Sequence, residues 1–227
     1  MRSKSSPSSE NIGSARRPYR SPLRAAQAQE TRRRIIAASV ECFSSLGYSR
    51  TTLAQIGKVA DVSAESVAAN GPKAALLMAG FEYAFTGREG TDPVTQREEL
   101  GAMLAIDDVN EMLAAFAAYA LRIQRDGIGM WRAIQDAAAQ DDTVAGLYRD
   151  LMERRRHDHE LAIQALLPRG ILRTDRTPEQ LAATLALING FDPYQLLVLD
   201  FGWDDGAFLD WYVDSLRRTL LADPSGR

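Results

Sequence analysis

Apolar positions recur at intervals of three and four along most of the chain, the period of helices buried on one face. In residues 31–46 they fall at Ile36, Val40 and Phe43, with Ile35, Cys42 and Leu46 alongside. Gly47 ends that run, because Gly enters left-handed backbone without a Cβ penalty. A shorter stripe of Leu53, Ile56 and Ala60 follows Thr52 and Gln55, which have the spacing of a capping box. Asp61-Val62 predicts a turn, and Ser63 caps a third helix over residues 64–70. Gly71-Pro72 opens a fourth over residues 72–86, with Leu77, Phe81 and Phe85 on one face. A Gly-, Asp- and Pro-rich stretch, residues 87–94, then breaks the pattern.

The helical period resumes beyond the break. Residues 108–125 carry Val109, Met112, Leu113, Phe116, Tyr119 and Ile123 on a predicted helix, and a separate one starts near Ile128 with Met130, Trp131 and Ile134. A longer helix is expected over residues 143–167, closed by Pro168 and Gly170. Thr177-Pro178-Glu179-Gln180 is a strong helix start, with Thr as cap, Pro at the first position and Gln three residues after the cap. That helix is densely apolar until Pro193, which should break it before residues 194–199. A last helix is expected over residues 205–221. No strand-like alternation and no internal repeat interrupts the series. The pattern predicts an all-α chain in three parts: a basic arm without fixed structure at 1–24, a head at 25–86 and a larger helical body at 95–222.

Two short helices joined by a tight turn form a helix-turn-helix, whose second helix enters the major groove of DNA. The head resembles the DNA-binding domain of the tetracycline-repressor (TetR) family of transcriptional regulators. The resemblance is carried by Thr31-Arg32-Arg33-Arg34-Ile35-Ile36, the Phe43 to Gly47-Tyr48 helix end, Thr51-Thr52-Leu53-Ala54-Gln55-Ile56, Val62-Ser63 and Lys73-Ala74-Ala75-Leu76-Leu77. It covers about a quarter of the chain. One stretch departs from the family pattern. Members carry an aromatic residue and then His-Phe before Gly-Ser-Lys, whereas this chain reads Val67-Ala68-Ala69-Asn70-Gly71-Pro72-Lys73, one residue shorter and without aromatics. Its recognition helix has no basic side chain, and Glu65, Ser66 and Asn70 are its polar groups.

Charge adds to this picture. The chain of 227 residues has a net charge of −3. Residues 1–75 hold 12 Lys and Arg against 5 Asp and Glu, a net +7, and the remainder holds 15 against 25, a net −10. A basic head on an acidic body suits phosphate contact, since Lys and Arg release condensed counterions from DNA. Arg16, Arg17, Arg20 and Arg24, just before the first helix, could follow phosphates or a minor groove. No apolar run is long enough to span a membrane, no h-region follows the basic N-terminus, and the single Cys42 excludes an internal disulfide and suits a cytoplasmic setting.

Enzymatic readings find no constellation. His157-Asp158-His159 is the one histidine cluster, and residues two apart leave a helix on different faces, so it reads as a solvated surface after Arg154, Arg155 and Arg156. There is no Gly-rich phosphate loop, no nucleophile elbow and no CxxC. Catalytic residues, metal and cofactor are all expected to be absent.

The resemblance implies a ligand-responsive transcriptional repressor that binds palindromic double-stranded DNA as a homodimer. Arg50, Thr51, Thr52 and Lys73 would position it on the backbone, and Ser63, Glu65, Ser66 and Asn70 would read bases, where Asn pairs with adenine and Glu accepts from cytosine. The helices at about 177–199 and 205–221, apolar over more than one face, would pair with a second copy. The middle helices would enclose a small, largely apolar effector, with Met103, Met112, Phe116, Tyr119, Met130 and Trp131 as candidates for its walls. The bare recognition helix also admits a ligand-sensing or protein-interaction module that has lost sequence-specific reading.

Overall fold

The computed structural model describes residues 22–86 and 98–222. The expectations for residues 1–21 and for the break at 87–94 lie outside them. Ten helices make up the described chain: α1 (Pro22–Arg50), α2 (Leu53–Ala60), α3 (Ala64–Ala69), α4 (Lys73–Thr86), α5 (Glu98–Leu104), α6 (Val109–Ala138), α7 (Asp142–Leu166), α8 (Pro178–Ile188), α9 (Phe191–Tyr194) and α10 (Asp205–Leu220). A π-helical segment, Gln195–Asp200, continues α9. The described residues contain no strand, only an isolated antiparallel bridge between Leu172 and Leu221. None of their helices is long and apolar enough to cross a membrane.

Six helix starts carry a side-chain cap, and those of α2, α3 and α8 are the ones the sequence predicts. Thr52 accepts from the Gln55 amide while the Gln55 side chain returns to the Thr52 amide, and Thr177 and Gln180 repeat the device with Pro178 at the first position. Asp108, Asp141 and Asp204 cap α6, α7 and α10. Each cap satisfies amides that a helix start leaves without an internal partner.

Four boundaries differ from the sequence reading. One is at Pro193, which does not break the helix from Pro178: that helix already ends at Ile188, and Pro193 lies inside the first turn of α9. α1 begins at Pro22, nine residues before the expected start at 31. Gly47 does leave helical geometry, at φ 76 and ψ 170, but the chain takes a further turn through Arg50. The two helices expected to meet between 125 and 128 are one unbroken helix, α6. Gly127 there is a packing residue rather than a breaker, since a Cβ built on it would stand 3.0 Å from Cε1 of Phe191.

The core falls into two clusters. One joins the head to the body: Ile35, Ile36 and Phe43 of α1, Ile56 of α2, Val67 of α3 and Leu76, Leu77 and Phe81 of α4 meet Met130, Trp131 and Ile134 of α6 and Phe191 of α9. The other fills the body between α6, α7, α8 and α10, around Met112, Ile163, Leu181, Phe208 and Tyr212. α4 and α6 therefore run from the head into the body.

The turn between α2 and α3 is tight. The Val62 amide donates to the Gly57 carbonyl at 2.9 Å, and Asp61 closes α2 in left-handed backbone at φ 53. A Cβ on Gly57 would stand 2.8 Å from the Val62 carbonyl oxygen, which is backbone and cannot swing away. Gly57→Ala is expected to cost about 1–3 kcal/mol of stability through overpacking, and to misalign α3. Urea denaturation checks the first effect; a cost under roughly 0.5 kcal/mol, the scale of an ordinary surface change, would show that the turn relaxes.

Candidate nucleic-acid interface and effector cavity

Arginines of α1 hold the helix-turn-helix in place. Arg32 donates to the Asn70 carbonyl at the end of α3 at 2.9 Å. Arg34 reaches the end of α2, donating to the carbonyls of Ala60 and Asp61 and pairing with the Asp61 carboxylate. Both guanidiniums thus meet the carbonyl ends of helices, where positive charge is favoured.

The residues expected to touch DNA separate into two groups. Arg50, Thr52, Ser63 and Glu65 are exposed at the ends of α1, α2 and α3. Thr51 is buried at 1% exposure, and its hydroxyl donates to the Cys42 and Gly47 carbonyls at 3.1 and 2.8 Å. Its side chain closes the end of α1. Much of the remaining polarity is turned back onto the helices. Ser63 accepts from the Ser66 amide at 3.1 Å, and Asn70 donates to the Ser66 carbonyl at 2.8 Å. Glu65 is held below the ordinary carboxylate range by its own backbone amide and then by Ser63. The outward face of α3 is left to Glu65, Ala68 and Ala69, spaced three and four apart.

Lys73 opens α4, and its ammonium lies 4.2 Å from the centre of the Tyr48 ring. The Tyr48 hydroxyl donates to Asp141 at 3.1 Å, and Asp141 also accepts from the first amides of α7. Burial, reinforced by Asp141, pushes the Tyr48 phenol up to about 12. Burial lowers the Lys73 pKa, with the Asp141 charge opposing it. The beginnings of α4 and α7 and the end of α1 therefore meet in one polar knot.

The body holds a cavity of about 190 Å³. α6 contributes Met112, Phe116, Tyr119, Ile123 and Gln124 to its wall, and α4 contributes Phe81, Glu82 and Phe85. Of the six candidates from the sequence, Met112, Phe116 and Tyr119 line it. Met103 is buried on α5, whose Leu100 and Leu104 face the cavity instead. Met130 and Trp131 lie two turns further along α6 and pack into the joint with the head.

Sequence reasoning misses the polar part of the wall, which comes from α7. Arg154 pairs with Glu82 of α4 at 3.1 Å. The Arg155 guanidinium lies 5.5 to 5.9 Å from the ring centres of Trp131, Phe191 and Phe85, and burial lowers its pKa. His159 is pressed down to about 4 by burial and then by the Arg155 charge, with its hydrogen bond to the Arg155 carbonyl opposing both. It is therefore neutral near pH 7, with Nδ1–H donating to that carbonyl and Nε2 carrying no proton. His157 does remain exposed, and no group of three or more metal-ligating side chains lies among the described residues. A signal for the inward pair is present in the chain. The stripe Leu151, Ile163 and Leu166 passes through positions 155 and 159 at helical spacing. Gln124, 1% exposed, donates to the Gly190 carbonyl, and its Oε1 has no partner among the described residues.

No protein-family model matches the sequence, and no curated protein is similar to it in sequence. Solved structures are similar in shape. A transcriptional regulator from Saccharomonospora viridis in complex with choline superposes with a TM-score of 0.65 at 18% identity, over 86% of this chain and 100% of that one. A TetR-family regulator from Mesorhizobium loti gives 0.64 at 17% identity, over 85% of this chain and 96% of that one. The chain has the TetR-family fold. NalD, the secondary repressor of the MexAB-OprM multidrug efflux pump in Pseudomonas aeruginosa, shares this TetR fold with a TM-score of 0.61 at 18% identity, over 86% of this chain and 99% of that one.

Proposed function

We propose that this chain is a TetR-type transcriptional regulator that binds DNA as a homodimer and releases it when a small effector fills the cavity. The observation that carries the reading is the course of α4. It starts at Lys73 beside the helix-turn-helix and ends at Phe81, Glu82 and Phe85 in the cavity wall. An occupant that displaces those side chains moves the same rigid element that seats the head. The basic head supplies the phosphate contacts. The choline complex of the Saccharomonospora viridis regulator supports a small-molecule effector.

A second copy has a surface to meet. Leu187 is 68% exposed and Phe201 71%, with Leu196, Leu199 and Trp203 also open to solvent. These large apolar residues run from the end of α8 to the start of α10, and a two-fold pairing buries one such patch against its own copy. Two heads then read half-sites centred about 34–36 Å apart, or a multiple of that.

Backbone contact falls to Arg50, Thr52 and Lys73, and base reading to the Glu65, Ser66, Ala68, Ala69 face together with Ser63 and Asn70. The exposed methyl groups of Ala68 and Ala69 suit contact with thymine methyls. The inward-turned polar groups of α3 favour a second reading, in which the head binds DNA without preference and the chain acts through its ligand or a protein partner.

Fluorescence anisotropy of a duplex titrated with the full chain over a salt series tests the DNA-binding role. Affinity should fall linearly with salt on logarithmic axes, with a slope of about −0.9 per phosphate neutralised. Absence of binding at low salt, with the chain folded, would end the proposal. Lys73→Ala should weaken binding to all duplexes alike and lower the slope by about 1. An unchanged slope would leave Lys73 to its contact with Tyr48 alone.

A further inference from the structure

The cavity wall contains a cation, Arg155, that no described residue neutralises by direct contact. Among the described residues, none forms an ion pair or hydrogen bond with the Arg155 guanidinium. Asp158, Glu82 and Asp192 act on it only through space, and the Glu82 carboxylate is held by Arg154 at 3.1 Å. Three aromatic faces, Phe85, Trp131 and Phe191, flank the guanidinium and fix its position, but rings accept no in-plane hydrogen bonds from its five N–H groups. Arg155 is half-buried beside the cavity, and an oxyanion that meets its guanidinium with two parallel bonds gains a charge-assisted contact.

We propose that the effector is an amphipathic carboxylate, its anionic head seated on Arg155 and its apolar body laid along Met112, Phe116, Ile123, Leu185 and Leu216. This rests on the reading of the cavity as an effector chamber. These body residues line the cavity and are uncharged; the other charged groups of its wall are Asp158 and the Glu82–Arg154 pair. His159, one turn beyond Arg155, is neutral and offers no competing charge. A quaternary ammonium is disfavoured for a specific reason. The aromatic faces that would attract it are already covered by the guanidinium, so a cationic head would meet like charge at short range. The site also explains how an occupant reports to the head, because Phe85 against Arg155 belongs to α4.

Isothermal titration of the full-length protein with octanoate, octanamide and octyltrimethylammonium tests the assignment, since the three share a tail and differ in head charge. Octanoate should bind at least about tenfold tighter than octanamide, with the ammonium weakest, as expected where a charge-assisted bidentate contact replaces a neutral one. In Arg155→Met that preference should vanish while octanamide binding is kept. Circular dichroism checks that the variant is folded. If it is not, Arg155→Lys keeps the charge without the planar fork and should reduce the octanoate preference. Equal or tighter binding of octanamide or the ammonium by the natural chain, or an octanoate preference that survives Arg155→Met, overturns the carboxylate assignment and leaves the effector chamber intact. No binding of any of the three overturns both.

Discussion

Replacing Phe191 with Ala is expected to lower the stability of the folded chain by about 3–5 kcal/mol, the range for a large aromatic removed from a packed core. The ring is 1% exposed and stacks on Trp131 with centroids 4.9 Å apart and planes 19° from parallel. It also touches Phe81 of α4, at 6.1 Å between centroids, and closes over Gly127 of α6. α9 is only four residues long, so little besides this side chain and Tyr194 fastens it to the molecule. Its removal opens a void where α4, α6 and α9 meet, and it withdraws one of the three rings that flank Arg155. Chemical denaturation at neutral pH gives the number. A loss below about 1.5 kcal/mol, no more than a conservative core swap, would mean that the joint between head and body repacks freely.

The second large effect is expected in acid. In the unfolded chain His159 titrates near 6.5, and in the folded chain near 4, because burial and the Arg155 charge disfavour imidazolium. The unfolded state therefore binds the extra proton first as pH falls. The contribution of neutral His159 is complete above about 6.5 and is lost progressively down to about 4. At about 1.4 kcal/mol for each pH unit between the two values, the loss is on the order of 3 kcal/mol. His159→Asn keeps a donor for the Arg155 carbonyl and cannot take up the proton. Its stability should consequently fall less than that of the natural chain between pH 6.5 and 4, by about that amount. Surface carboxylates that titrate in the same range do so in both proteins and cancel in the difference. Parallel stability curves would place His159 in contact with solvent.

Both effects depend on residues whose roles the sequence conceals, and the reason is physical. The helical period, the capping residues and the turn at Asp61-Val62 are local signals, so the all-α architecture and the helix-turn-helix are legible in the sequence alone. Gly127 is not, because a helix-interior Gly looks like a breaker unless the ring that needs its space is known, and Phe191 is 64 residues away. The cavity is legible only in part. Met112, Phe116 and Tyr119 share a stripe with the core, but that stripe continues through Met130 and Trp131, and nothing local marks where the cavity ends and the joint begins. Arg155 and His159 read as a solvated face because their neighbours Arg154, Arg156 and His157 are charged or polar. The phase of Leu151 and Ile163 is the better guide there, and it overrules composition. On the DNA side, Thr51 is lost to the interior because a hydroxyl next to a helix end has backbone carbonyls within reach.

The central claim is that this head reads a DNA sequence as one half of a symmetric pair, even though α3 presents mainly Glu65 and two alanine methyls. Selection of bound duplexes from a random pool by the full-length chain, at about 150 mM salt, tests it most directly. The account predicts enrichment of a palindrome whose half-sites contain thymine where Ala68 and Ala69 approach, with half-site centres about 34–36 Å apart or a multiple of that. A pool that stays random while the chain is folded and dimeric would contradict it, and would leave the helix-turn-helix as a scaffold for a sensor that works through another partner.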